Sequence, residues 1–340
     1  MRLSVLDQST VVTGRSADQS IRESLLLARH AESLGYHRYW VAEHHNSASI
    51  AGSAPEILIS AIAATTKRIR VGSAGVMLPH YSALKVAEQF RVLEAVAPGR
   101  IDLGLGRAPG SDGLTAHALN PNAASAADHF PAAVRDLIAW LHGEKLVEKH
   151  PFRDVLAMPT GPSVPEVWVL GSSDYGAQVA AHFGLPYCFA HFITDGAGCA
   201  EAIETYRALF RPSATLAAPH AAICLWALAA ESETEAERLF SSRGLARLWR
   251  DKGIFSPLPS PEEAAAYAYS STDLARLARI RERAMWGTPD SVGERIRALA
   301  SELGVQEVAV LSTCHDAAAR RHSYTLLARE FGLTGMTLAA

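Results

Sequence analysis

Eight short segments of continuously apolar sequence constrain the fold of this 340-residue chain more than any other feature. They occupy residues 3–6, 39–42, 69–73, 101–106, 167–171, 187–190, 223–230 and 308–311. Alternating apolar and polar residues indicate a strand with one face in water, whereas continuous apolarity is typical of parallel strands covered on both faces. The sequence therefore predicts eight parallel strands.

Helical patterns separate these segments. One runs from a predicted capping box at 16–19 to Gly35, a second begins with a predicted capping box at 53–56, and a third spans 82–97. Strands that alternate with helices form βα units. Eight such units predict an α/β protein with a (β/α)8 barrel, which typically takes roughly 250 residues.

The chain is longer than such a barrel requires, so we expect a single domain over 1–340 with the surplus in loops. Three insertions are predicted, near 108–124, 150–165 and 251–285, at the C-terminal face to which the strands point. Long loops in a compact domain are usually lids or binding segments.

Composition narrows the classes of partner. A net charge of -3 with 20% charged residues gives no basic surface for nucleic acid or an anionic membrane, and no apolar segment is long enough to cross a bilayer. The four cysteines are far apart and form no Cys-x-x-Cys pair, so neither a zinc site nor a disulfide framework is indicated. We expect a cytoplasmic protein that acts on small molecules.

Residues that follow a strand are the candidate site residues, because barrels place their active sites at the carboxyl ends of the strands. The candidates are Glu43, His44, His45, Asn46, Ala74, Gly75, Arg107, Ser172, Ser173 and His191. His44 and His45 are adjacent and point in different directions from an extended backbone, which disfavours a metal site. Acid–base catalysis by one histidine is expected, since imidazole titrates near neutrality; the alternative is that both only bond neighbouring loops.

Two further segments suit an anion. Arg107 lies in the glycine-rich segment 104–110, where a guanidinium can bind a phosphate; the alternative is an ion pair with Asp102 or Asp112. Ser172 and Ser173 precede a predicted helix, whose backbone N–H groups attract anions; plain N-capping is a compatible alternative. No nucleophile motif of hydrolases is present, which favours a phosphorylated cofactor.

The segments LSVLDQS, WVAEHHN, GSAPEILISAIAATTKRIRVGSAGVMLPHYSALKVAEQFRVLEAVAPGRIDLGLGRAPGSD and VWVLGSSDYGAQVAAHFGLPYCFAHF resemble the bacterial luciferase-like flavin monooxygenases. Within that family the resemblance points to the YhbW-like branch, and it covers nearly the whole chain. It implies a TIM barrel that uses reduced FMN from a separate NAD(P)H:flavin reductase and activates O2 as a C4a-peroxyflavin to oxidise a small organic substrate. A homodimer is also implied.

The resemblance assigns roles to the candidate residues. Arg107, Ser172, Ser173 and Gly176 would hold the FMN phosphate, and Ala74-Gly75 would form a non-prolyl cis peptide under the flavin ring system. His44 would move protons, while the substrate pocket would comprise Glu43, His45, Asn46 and His191.

Gly106 replaces the reactive cysteine of the luciferases, so light emission is not implied. The 251–285 insertion is the predicted lid. Two alternatives remain: an F420-dependent dehydrogenase of the same superfamily, and a non-catalytic flavin-binding protein.

Overall fold

The computed structural model describes residues 1–335, which contain nine parallel strands. These are β1 (Arg2–Asp7), β2 (Arg38–Val41), β3 (Arg70–Met77), β4 (Ile101–Gly106), β5 (Glu166–Gly171), β6 (Tyr187–Phe189), β7 (Ala221–Ala229), β8 (Met285–Gly287) and β9 (Glu307–Leu311). Eight of them close a barrel in the order β1-β2-β3-β4-β5-β6-β7-β9, with β9 paired to β1. The predicted (β/α)8 barrel and its eight strands are confirmed.

Strand β8 is an addition at the end of β7. Residues 227–229 of β7 pair with β8, whereas residues 222–226 pair with β9. Met285 had been assigned to an insertion, because a strand of three residues is too short to leave a recognisable apolar segment.

Besides a short 3-10 helix at Leu78–His80, fourteen α-helices accompany the strands within residues 1–335. They are α1 (Ala17–Leu34), α2 (Pro55–Thr65), α3 (Ala83–Val96), α4 (Gly113–Leu119), α5 (Ala123–Asp128), α6 (Phe130–His142), α7 (Asp174–Phe183), α8 (His191–Thr194), α9 (Cys199–Leu209), α10 (Glu233–Asp251), α11 (Pro261–Ala266), α12 (Ser271–Arg283), α13 (Pro289–Glu302) and α14 (Ala317–Glu330). No helix in this part of the chain is long and apolar enough to cross a membrane.

The N-terminal ends of the first two helices differ from the prediction in their capping residues. Ser16 precedes α1 but its side chain makes no capping bond, and α2 is preceded by Ala54, so the capping boxes predicted at 16–19 and 53–56 are wrong. Gly35 ends α1 at a φ of 88°, as predicted, in the left-handed conformation that glycine adopts readily.

The three predicted insertions lie in different places. Residues 108–124 follow the carboxyl end of β4 and include α4, whereas 150–165 lead into the amino end of β5, which is the opposite end of the barrel. The predicted position of the 150–165 insertion at the C-terminal face is therefore wrong. Residues 251–285 carry α11 and α12, each started by a reciprocal capping box. The 251–285 segment also reaches the barrel mouth, where Leu258 pairs with Val12.

Charged side chains occupy the amino-terminal end of the barrel. Arg38 at the start of β2 lies 2.7 Å from Glu307 and 2.9 Å from Asp102, and Trp40 donates its indole N–H to the other Asp102 oxygen. These groups are buried, and each charge is paired, as buried charges require. This end of the barrel is therefore closed by an ionic network, and the open end is the one where the strands terminate.

A second buried ion pair joins β1 to the last helix. Arg320 of α14 lies 2.8 Å from the fully buried carboxylate of Asp7. Arg320→Met should lower the free energy of unfolding by about 3–5 kcal/mol, because Asp7 would remain buried without its counter-charge. Urea unfolding followed by circular dichroism measures this change.

The neighbouring residue supplies the control for Arg320→Met. Arg321 pairs with Glu23 at 2.8 Å, but both side chains are about one-third exposed. Arg321→Met should therefore change stability by under about 1 kcal/mol. Equal effects of the two substitutions would contradict the role assigned to burial.

Candidate active site

The open end of the barrel holds a cavity of about 740 Å³, a volume that includes solvent in its mouth. Its walls come from the segments after β1 and β2, from β7, β9 and α10, and from the 251–285 segment. None of the predicted site residues lines this cavity; they lie in or after β2 to β6 at the same end of the barrel. The loop after β2 connects the predicted site residues to the cavity. Its residues Ser49 and Ile50 line the cavity, and His44 donates its backbone N–H to the Gly52 carbonyl oxygen in the same loop.

The Ala74–Gly75 peptide is cis, as the sequence resemblance implied. The β3–β4 register is interrupted there: Ser73 pairs with Leu103 and Val76 with Leu105, so both residues of the cis peptide face Gly104 alone. A Cβ atom on Gly75 would lie 2.8 Å from the Gly104 carbonyl oxygen, so a side chain there would collide with the backbone of β4. The two strands are therefore packed closely at this point of the mouth.

Glu43 connects the ends of β2 and β3. Its buried carboxylate accepts hydrogen bonds from the Tyr81 hydroxyl (2.6 Å) and the Met77 backbone N–H (3.0 Å), and His45 Nε2 lies 2.8 Å away. Asn46 has a φ of 51° and donates to Asp112 at 3.0 Å. Glu43, His45 and Asn46 thus hold the loops of the mouth in place.

His44 differs from its neighbour in having no bond to the protein through its ring. Its Nδ1 atom is buried, and no residue among 1–335 bonds to either ring nitrogen. Burial, followed by the positive charge of Arg250, lowers the pKa of His44 to about 4. The imidazole is consequently neutral at physiological pH and can accept a proton.

A titration of the cofactor-free protein checks the state of His44. The His44 ring resonances should stay constant from pH 5 to 8 and move only near pH 4, as followed by NMR with labelled histidine. Because the unfolded chain is protonated below about pH 6.5, this group also lowers stability as the pH falls from about 6.5 to about 4. A midpoint near 6.5 for His44, identified by its loss in His44→Gln, would contradict the assignment.

Arg107 follows β4 and lies over the ring of Tyr175, with 4.1 Å between its Cζ atom and the ring centroid. It pairs with neither aspartate considered above. Asp102 is held by Arg38 and Arg70, and Asp112 by Asn46 and Thr115. Arg107 is exposed and has no ion-pair partner among residues 1–335, so its guanidinium is available for a ligand.

The start of α7 lies beside Arg107, because Tyr175 belongs to its first turn. Ser173 precedes the helix without a side-chain capping bond, so plain capping by this side chain is not observed. A Cβ on Gly176 would lie 3.4 Å from the Tyr187 ring and 3.7 Å from the Gly171 Cα, which are ordinary van der Waals contacts, so packing alone does not require glycine there. The free backbone N–H groups, Ser172, Ser173 and Arg107 together fit a phosphate.

His191 begins the short helix α8 and is half-buried. Burial lowers the pKa of His191, and a Cβ on Gly196 would lie 2.5 Å from its Nε2 atom. Its neighbour Phe192, and not His191, lines the cavity. Within residues 1–335 no group of three or more His, Cys, Asp or Glu side chains is arranged to hold a metal ion.

Sequence reasoning missed the residues that line the cavity wall: Trp226 of β7 and three arginines of α10, Arg243, Arg247 and Arg250. The signal was present as arginines at spacings of four and three, which place them on one helix face. A charged face on a helix usually lies in solvent, and nothing in the sequence indicated that the barrel mouth faces this one.

Comparisons with known proteins agree with this architecture. Residues 1–307 match the family described as luciferase-like monooxygenase. In Bacillus subtilis (strain 168), the uncharacterized protein YwcH is 44% identical (97% of this chain, 98% of YwcH), and N-acetyl-S-alkylcysteine monooxygenase is 35% identical (96% of this chain, 97% of the relative). The crystal structure of apo-MsnO8 superimposes with a TM-score of 0.90 at 38% identity, covering 98% of this chain and 99% of that one.

Proposed function

We propose, from the premise that this chain belongs to the luciferase-like monooxygenase family, that it is a monooxygenase that uses reduced FMN and O2 to oxidise a small organic molecule. The observation that carries the proposal is Arg107, stacked on Tyr175 without an ion-pair partner in the described chain and beside the free start of α7. Bound reduced FMN would supply the activation of oxygen, at its C4a atom.

The phosphate is the part of FMN for which the chain has the most suitable binding groups. Arg107 would bind two phosphate oxygens through paired N–H donors, and Ser173 and the backbone at the start of α7 would bind the others. Tyr175 fixes the plane of the guanidinium, which reduces the freedom that Arg107 loses on binding. The backbone of Ser172 and Gly176 would lie close to the same phosphate.

His44 is the proposed catalytic residue. Its neutral ring, with a buried Nδ1 that lacks a partner in the described chain, would accept a proton during the reaction. Ser73, which precedes the Ala74–Gly75 cis peptide, pairs with Val41 at the end of β2, so His44 and that peptide emerge side by side. Glu43 and His45, which bond each other, would keep the adjacent loop rigid.

The 251–285 segment is the proposed lid. Ile254, Phe255 and Leu258 line the cavity, and Phe255 is exposed despite its size. Apolar side chains at the mouth would exclude water from the reacting flavin, which otherwise loses its oxygen as hydrogen peroxide.

Three further expectations remain predictions. They are a separate NAD(P)H:flavin reductase that supplies reduced FMN, a homodimer, and membership of the YhbW-like branch. Coupling to an added flavin reductase tests the supply of reduced FMN. Size-exclusion chromatography with light scattering tests the homodimer.

A stopped-flow experiment tests the function. Anaerobic protein with reduced FMN is mixed with oxygenated buffer, and a flavin spectrum that matches neither reduced nor oxidised FMN should persist far longer than with FMN alone. N-acetyl-S-alkylcysteines, after which the Bacillus subtilis relative is named, are the first substrates to screen. Reoxidation at the rate of free FMN would overturn the proposal and favour F420-dependent dehydrogenation or non-catalytic flavin binding, which titration with F420 separates.

A further inference from the structure

One wall of the mouth cavity carries three positive charges. Arg243, Arg247 and Arg250 lie on one face of α10, and all three line the cavity. Trp226 and Phe192 line the cavity beside them, so the wall combines cationic groups with aromatic surface. Such a combination suits a ligand with an anionic end and an apolar body.

Among residues 1–335, only one of these three arginines, Arg247, pairs with acidic side chains. Arg247 lies 3.0 Å from Asp195 and 3.9 Å from Asp251. The guanidinium groups of Arg243 and Arg250 form no hydrogen bond or ion pair with the described part of the chain. Arg243 is partly enclosed by protein and lacks an anionic partner among the described residues, which is destabilising, so a missing anion is the simplest account of its position.

Arg243 is the most enclosed of the three. The Cζ atom of Arg243 lies 4.1 Å from the centroid of the Trp226 ring. Arg243 is half-buried, and it lines the cavity. Burial and the two neighbouring arginines lower the pKa of Arg243 to about 9, which leaves it protonated at pH 7. The stacking fixes the direction of its free N–H donors.

We propose that Arg243 and Arg250 bind the carboxylate or sulfonate group of an anionic organic substrate. The apolar part of the substrate would lie along Trp226 and Phe192 and reach toward His44, whose pKa the charge of Arg250 already lowers. This inference rests on the proposed function, because it names the substrate class of the same site.

The flavin phosphate is the other anion that could occupy this wall. Its proposed site follows β4 and β5, whereas α10 follows β7, with β6 between them in the barrel. Arg107 and the start of α7 already fit a phosphate, so the α10 arginines are free for a second anion. The test therefore measures FMN and an organic anion separately.

The probes are N-acetyl-S-benzylcysteine and its carboxamide, which differ only in the charged group. Their dissociation constants are measured by calorimetry at fixed ionic strength, with native protein and with Arg243→Met and Arg250→Met. The native protein should prefer the acid, and each substitution should weaken acid binding about 10-fold or more while the carboxamide is unaffected. Arg243→Lys, which keeps the charge without the planar fork, should fall between native and Arg243→Met.

Arg238→Met is the matched control, because Arg238 lies on the same helix but pairs with Glu235 on the surface. It should bind both probes as the native protein does, and thermal unfolding should confirm that all variants are folded. Arg250, which is exposed, provides a variant that cannot fail through lost core packing.

Three results would overturn the inference, and two of them concern the organic anion: equal affinity of native protein for acid and carboxamide, or an acid preference that survives both substitutions. A loss of FMN affinity in Arg243→Met and Arg250→Met would instead assign these arginines to the cofactor phosphate, which also overturns it. The proposed function is tested separately. If FMN is reoxidised at the rate of free FMN but acid binding still depends on the two arginines, the monooxygenase proposal fails and the anion site stands.

Discussion

Arg107→Met should weaken FMN binding about 10–100-fold and leave riboflavin binding unchanged. Riboflavin lacks the phosphate, so any effect transmitted through the ring system would appear with both ligands. Quenching of flavin fluorescence in titrations of the purified protein measures both affinities. The expected loss is large because charge-assisted hydrogen bonds to a phosphate are about twice as strong as neutral ones.

Tyr175 offers a graded version of this experiment. Tyr175→Leu keeps Arg107 but removes the ring beneath it, and should weaken FMN binding by only about 2- to 5-fold, the size of an exposed cation–π contact. Arg22→Met, on the surface of α1, is the control for lost positive charge. If FMN and riboflavin affinities fall equally in Arg107→Met, the phosphate site lies elsewhere.

The barrel could be predicted from sequence because strands buried on both faces leave a continuous apolar signal that needs no knowledge of their partners. The carboxyl ends of those strands then located Glu43, His44, Ala74-Gly75, Arg107 and Ser173 at one end of the molecule. Besides the position of the 150–165 insertion, what failed was local: two capping boxes and the three residues of β8. Side-chain capping depends on the φ and ψ of single residues, which the tertiary contacts set.

The alternative partners of Arg107 illustrate a different limit. Asp102 lies five residues earlier in the same strand, roughly 16 Å away at about 3.3 Å per residue. It therefore belongs to the ionic network at the other end of the barrel, and strand geometry alone would have been enough to reject the pair. Asp112 could not be excluded in this way, because residues in a loop have no fixed spacing from which a distance can be calculated. In the structure, Asp112 accepts hydrogen bonds from Asn46 and Thr115.

The α10 arginines could not have been assigned to the site from sequence. At their spacing they form a helix face, and such a face is usually solvated. It becomes a cavity wall only because β7 presents Trp226 to it and the segment after β9 presents Thr313, and because Ile254 and Leu258 of the 251–285 segment close over it. These are contacts between distant parts of the chain, and composition does not encode them.

His44→Gln should lower turnover about 10²–10⁴-fold, the usual contribution of a positioned proton-transfer group, while FMN affinity stays within about twofold. Glutamine keeps the size and a hydrogen-bonding end but cannot take up a proton. Oxygen consumption coupled to substrate oxidation measures turnover, and fluorescence titration measures FMN affinity. His142→Gln, on the exposed end of α6, should leave both unchanged.

The pH profile separates a catalytic His44 from a structural one. In the native protein the rate should persist down to about pH 4–5, since the pKa of His44 is lowered to about 4, and should fall below that pH as the ring becomes protonated. In His44→Gln the residual rate should show no such fall above the pH of unfolding. Because Arg250 contributes to the lowered pKa, Arg250→Met should move this limb of the native profile to higher pH, which a purely structural histidine would not do.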